Sequence, residues 1–168
     1  MNRINQIFQH PVYQEHFQAL QEAEKERIFC NHTMSHFLDV ARLMYIRCLE
    51  EKAELSRDLI YAAAFLHDIG RFEQIRSGVP HDQASAELSE RILPECGFSE
   101  AEIAPIVYAI LSHRQSVCRD TEQEGSFMAK LLARYLYDAD KKCRCCFSCP
   151  VSEECNWPAE KRNRTIEK

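Results

Sequence analysis

Glycine is scarce in this chain. Its four glycines, Gly70, Gly78, Gly97 and Gly125, stand too far apart to build a phosphate-cradling loop or a dinucleotide fingerprint. P-loop and Rossmann chemistry are thereby excluded. There is no G-x-S-x-G nucleophile elbow, so the commonest serine hydrolase signature is missing too. No apolar run approaches the roughly 20 residues that span a bilayer. The opening MNRINQIFQHP has no basic-then-apolar leader. A cytoplasmic protein without membrane contact is expected. Positive charge is not in excess either: 21 Lys and Arg stand against 26 Asp and Glu, a net charge of −5. Polyanions are gripped by clustered cations, so no broad nucleic-acid-binding face is expected.

What is present is ordinary globular composition, with 45% hydrophobic and 28% charged residues over 168 positions, enough for one domain with a real core. The apolar period is that of a helix almost throughout. The pattern predicts an all-α, single-domain helical bundle of about six main helices. Pro11 opens the first, through Arg27, with a polar face and anchors at Phe17 and Leu20. The second runs from about Thr33 to Glu51 with His36, Val40, Leu43 and Arg47 on one stripe. Ser56 caps a third that carries Ile60, Ala63, Ala64 and His67 on one face until Gly70 ends it. A loop through Pro80 leads to a fourth, with Ala84, Leu88 and Ile92 inward and a stop near Gly97. Ser99 and Glu102 read as a capping box for a fifth, lined by Ile103, Ile106, Ile110 and His113. A sixth, from about Phe127, puts Asp140 on the face of Leu132, Ala133 and Leu136, and Asp138 on that of Arg134. The division expected is a helical domain over residues 1–142, its core at about 30–141, and a Cys-rich tail over 143–168 packed on it. The closing KRNRTIEK has no apolar period, and its last few residues read as frayed.

Six metal-type residues fall on inward stripes or at helix ends: His36, His67, Asp68, His81, His113 and Asp140. One such histidine is more often a hydrogen-bonded core residue than a ligand. The weight rests on their number and on the adjacency of His67 and Asp68, which lets one helix end offer an imidazole and a carboxylate together. A buried carboxylate is costly unless paired or coordinated, so these sites invite a cation. His81-Asp82 is a second His-Asp step, but it lacks the apolar helix that buries the first.

The segments HFLDVAR, FLHDIGR and YDADKK, in that order, resemble the HD superfamily of metal-dependent phosphohydrolases over roughly residues 30 to 141. The resemblance implies a helical fold and a metal held by His36, His67, Asp68 and Asp140. His81 and His113 match the two extra histidines of the binuclear variants. It implies Asp68 bridging two divalent ions (Mn, Fe, Mg, Ni or Zn), with His36, His67 and Asp140 completing one and His81 with His113 holding the other. Such a pair of ions activates water and clamps the oxygens of a phosphoryl displacement. A small phosphorylated metabolite or nucleotide is the expected substrate. Asp68 carries the catalytic role with Arg71, which either binds phosphate or caps a helix end on the surface. His32, one turn before His36, is read first as an exposed residue, with a place at the pocket mouth or a role in orienting a ligand as the alternative. Two alternatives stand beside hydrolysis. Some HD proteins with these six ligands are di-iron oxygenases, and a non-catalytic regulatory or interaction domain is the third reading.

Nine cysteines are many, and the reducing cytosol argues against a disulfide framework. Cys146, Cys149 and Cys155 have spacing suited to a structural zinc or an iron–sulfur cluster, with Cys30, Cys143 or Cys145 as the fourth ligand. The bland alternative is free thiols in a tail that packs through Phe147 and Trp157.

Overall fold

The computed structural model describes residues 2–114 and 126–166. Among these, eight α-helices form and no strand. They are α1 (Arg3–Gln9), α2 (Pro11–Ala23), α3 (Met34–Glu50), α4 (Arg57–Leu66), α5 (Arg71–Ser77), α6 (His81–Glu95), α7 (Glu100–Ser112) and α8 (Phe127–Lys142). The six longer ones are the six the periodicity predicts. The two of seven residues, α1 and α5, are additions that such a short apolar period does not announce.

Helix α4 is the hub. Seven of its ten residues are buried, and it packs against α1, α3, α6, α7 and α8. A helix apolar on nearly every side belongs in the middle of a bundle. Ser56 caps it, its side chain accepting from the Leu59 amide at 3.2 Å, with Asp58 favourably placed in the first turn. Its other end therefore delivers His67 and Asp68 to the centre of the molecule. Around it, α3 packs on α4 and α8, and α7 packs on α6 and α8. No helix is long and apolar enough to cross a membrane among the described residues.

Gly70 matters for a reason other than helix termination. Its φ is ordinary, but a Cβ there would stand 2.4 Å from the Ser85 amide nitrogen and 2.8 Å from Ala84. The chain after Asp68 thus lies directly on the first turns of α6. The Gly70 amide donates to Ser85 Oγ at 2.9 Å, and Ser89 Oγ donates to the Ser85 carbonyl. These contacts fix the His67-Asp68 turn against the helix that begins at His81.

The expected first helix ends early. It stops at Ala23, and Glu24 turns inward at its C-cap instead of continuing a solvated face to Arg27. At the opposite end of the bundle, Arg3 ties α1 to α4 and α7 through Asp58 and Glu102, both at 2.8 Å, with its guanidinium over Phe98.

The tail is made of three short 3-10 turns, Cys146–Ser148, Ser152–Glu154 and Ala159–Lys161. Two polar side chains organise it. Arg162 donates to the carbonyls of Ser152, Cys155 and Trp157. Asn163, 4% exposed, faces the carbonyls of Lys141, Lys142 and Arg144 at 2.9–3.0 Å. The last carbonyls of a helix have no intrahelical donors, and Asn163 supplies one for α8.

Candidate metal centre

Five helices bring side chains to Asp68, each from at or near one of its ends. His67 stands at the C-cap of α4, His113 at that of α7, and His81 opens α6. His36 comes from the first turn of α3 and Asp140 from the last turns of α8. His67 is fully buried, and Asp68, His81, His113 and Asp140 are each at most 8% exposed.

The two oxygens of Asp68 face different neighbours. Oδ2 lies 3.2 Å from His67 Nε2 and 3.9 Å from His36 Nε2, while Oδ1 lies 3.2 Å from His81 Nε2 and 3.6 Å from His113 Nε2. Asp140 Oδ1 joins the first set, 3.7 Å from His36 and 4.0 Å from His67. The donors thus form two compact groups that share Asp68: His36, His67, Asp68 and Asp140, and Asp68, His81 and His113, with donor atoms within 4.8 Å in each.

Hydrogen bonding fixes which nitrogen of each ring is free. A carbonyl oxygen only accepts, so His67 Nδ1 donates to Ala64 O and His113 Nδ1 donates to Ile110 O. His81 Nδ1 faces Gln74 Oε1 at 2.7 Å. In neutral rings the Nε2 atoms then carry lone pairs. His81 and His113 Nε2 are 3.3 Å apart, with no hydrogen to place between them. His36 Nε2, His67 Nε2 and Asp68 Oδ1 are buried without a hydrogen-bond partner. Converging, unsatisfied donors with their far nitrogens anchored are the chemistry of a divalent cation site, and the residues fit such an ion.

Electrostatics favour neutral rings at His36 and His81, whereas Asp68 and Asp140 raise His67 against the lowering effect of its burial. Burial first, and the neighbouring His67 second, bring His36 down to about 4; burial, with Arg71 and His113 adding to it, brings His81 down to about 3. Both rings are neutral and ready to ligate well below neutral pH. Burial alone would favour neutral carboxyls, but His67, His113 and His32 hold Asp68 well below its ordinary value, and Lys141 and His67 lower Asp140.

Over these groups opens a pocket of about 570 Å³, floored by His36, Asp68, His81, His113 and Asp140. Cations ring it, among them Arg27, Arg71, Arg114, Lys141, Arg144 and Lys161, and Tyr137 and Trp157 add aromatic surface. Arg71 begins α5, where a cation gains nothing from the helix dipole, and its guanidinium lies 3.3 Å from His81 Nδ1. Arg71 lines the pocket. The His81-Asp82 step was set aside as lacking an apolar helix, yet His81 is buried because α5 and α7 cover it. Asp82 instead pairs with Arg114 at 3.3 Å.

His32 is not exposed as expected. Its side chain is 12% exposed, with Nδ1 2.8 Å from Glu24 Oε1 and Nε2 3.3 Å from Asp68 Oδ2. Glu24 escapes sequence reading because it sits in the polar run QEAEKER, which reads as a solvated face.

The cysteines are arranged otherwise. Cys30 lies near Cys146 and Cys149, and burial together with those two thiols raises its pKa. Among the described residues, however, no group of three or more metal-type donors includes a cysteine, so Cys30, Cys146, Cys149 and Cys155 are not gathered as the histidines are. Cys145 is exposed, and Cys143 belongs to the bundle: its thiol donates to the Asp140 carbonyl at 3.2 Å and stands 3.4 Å from His36 Nδ1.

The HD domain family matches residues 33–144, which hold every one of the six converging residues. This chain belongs to the HD domain family. It is 39% identical over 166 residues to an uncharacterized protein of Clostridium beijerinckii, covering 99% of both chains. Among solved structures it resembles one described as a predicted HD superfamily hydrolase from an uncultured Thermotogales bacterium. There the TM-score is 0.63 at 24% identity, over 92% of this chain and 80% of the other, a likeness of fold.

Proposed function

We propose that this protein is a metal-dependent phosphohydrolase acting on a small phosphorylated metabolite or nucleotide. The observation that carries the reading is the division of Asp68 between two donor groups beneath a cation-ringed pocket. His36, His67 and Asp140 would hold one divalent ion with Asp68, and His81 with His113 a second. Bound there, such ions supply an acidified water and positive charge against the phosphoryl oxygens. Arg71 and Arg114 stand at the wall beside His81 and His113, where a planar guanidinium pairs with phosphate oxygens. Asp140 takes its orientation from Lys141. Family membership and the hydrolase description of the Thermotogales protein agree with this reading.

The test is a panel of phosphomonoesters, nucleotides and dinucleoside polyphosphates incubated with protein loaded with Mn²⁺, Co²⁺, Ni²⁺ or Mg²⁺, beside Asp68→Asn. Phosphate release that depends on metal and falls at least about 100-fold in the variant is expected, since removing even an outer-shell contact lowers such sites 10–100-fold. Turnover unchanged in Asp68→Asn would overturn the site assignment. Oxygen consumption by the iron-loaded protein, without phosphate release, would replace hydrolysis with oxygenase chemistry.

A further inference from the structure

Outside the six converging residues, one histidine shares their orientation. His32 lies in the loop between α2 and α3, and three side chains hold that loop in place. Glu24 Oε2 accepts from the His32 amide at 2.7 Å, Gln21 Nε2 donates to the His32 carbonyl at 2.9 Å, and Asn31 Nδ2 reaches the Glu24 carbonyl at 3.5 Å. Glu24 itself is 3% exposed. Burying a carboxylate is costly, and both of its oxygens are turned to His32, with Arg27 the nearest cation at 3.4 Å.

The consequence is a fixed ring. A carboxylate only accepts, so His32 Nδ1 carries a hydrogen to Glu24, and Nε2 is the atom turned to the site. Nε2 lies 3.3 Å from Asp68 Oδ2, nearly the 3.2 Å at which His67 Nε2 meets the same oxygen. Two acceptor atoms so close need a positive charge between them, either a hydrogen on Nε2 or a cation beside both. Donors around one divalent ion, each about 2.0–2.2 Å from it, are separated by about 3 Å when adjacent, which matches this spacing. An imidazole whose far nitrogen donates to a carboxylate is also the usual form of a ligating histidine. His67 and His113 have carbonyls in that role, whereas His32 has a charged acceptor.

We propose that His32, oriented by Glu24, is a seventh protein donor of the metal centre, binding the ion that takes Asp68 Oδ2. It stands outside both compact groups, meeting the first at Asp68 Oδ2 and edge-on against the His36 ring, 5.4 Å between centroids, so it adds from the pocket side. The inference depends on the metal centre but not on hydrolysis, and it survives if the phosphatase panel fails.

The experiment is titration of the metal-free protein with Co²⁺, followed by isothermal calorimetry and by the visible absorption of the bound ion, which reports coordination number and donor type. His32→Ala and His32→Gln are compared with wild type and with Glu24→Gln, and circular dichroism checks folding. Expected is a loss of about 10–100-fold in affinity for one Co²⁺ and a changed visible spectrum in both His32 variants, with a smaller loss in Glu24→Gln. Glutamine keeps the bulk of the ring, so it reports the donor even where alanine unfolds the loop. Folded His32→Gln with wild-type affinity and spectrum overturns the proposal and leaves the six-residue site standing. A wild-type protein that takes up no Co²⁺ overturns both.

Discussion

The bundle and the tail both concentrate metal-type side chains, and they organise them in opposite ways. In the bundle, histidines and aspartates arrive from helix ends whose positions are set by buried apolar contacts. Their far nitrogens are tied to carbonyls or side chains, so the near ones have nowhere to turn. In the tail, the backbone is held by Arg162 and Asn163, and the thiols are left without a shared centre among the described residues. Preorganisation of donors, more than their number, separates a site from a collection of ligands.

The sharpest way to break this comparison is metal content. Asp68→Ala should lose bound divalent metal, with affinity down at least about 100-fold, while Cys149→Ala should retain all of it. Elemental analysis of the purified proteins reads both. Zinc lost only with Cys149 would show that the tail gathers its thiols around an ion after all.

Next in size is stability. Gly70→Ala inserts a methyl against the backbone of Ser85 and Ala84, and overpacking of this kind costs about 1–3 kcal/mol. Urea denaturation should show the loss, and Co²⁺ affinity should fall with it, because the turn carrying Asp68 is displaced from α6. In the tail, Asn163→Ala removes the donor for three carbonyls and should cost about 1–3 kcal/mol. Here metal affinity should hold. A variant in which both properties change together would deny the tail its independence from the centre.

The smallest effect concerns the end of the bundle far from the pocket. Glu102 is held below the ordinary carboxylate range, above all by the Ser99 amide, with Arg3 and the Ser99 hydroxyl adding to it against the opposing effect of burial. A carboxylate with a depressed folded pKa stabilises above its unfolded value, and that contribution is lost as pH falls through the folded one. Glu102→Gln should therefore lower the urea midpoint slightly at neutral pH and leave it unchanged once pH is below the carboxylate range.

How much of this was legible in the sequence varies by element. Helix α4 was plain because its apolar residues have nowhere else to go, and with it came His67 and Asp68. The capping box at Ser99 and Glu102 set the start of α7, and so the end at His113. Helices α1 and α5 are too short to show a period. His32 was misread because its burial comes from Glu24, eight residues earlier, and the partnership exists only after the loop folds back. Asn163 was hidden for a related reason: its partners are backbone carbonyls, which no side-chain pattern records. The Cys146, Cys149 and Cys155 spacing was visible, but spacing says nothing about which way a thiol points.

Trp157 is the chain's single tryptophan, and it lines the pocket with the Arg144 guanidinium 4.2 Å from its ring centroid. The molecule therefore carries its own optical reporter at the mouth of the site. An anion that enters and draws Arg144 off the ring changes the environment of the dominant fluorophore, so ligand entry can be followed in real time by intrinsic emission, with no label and no turnover.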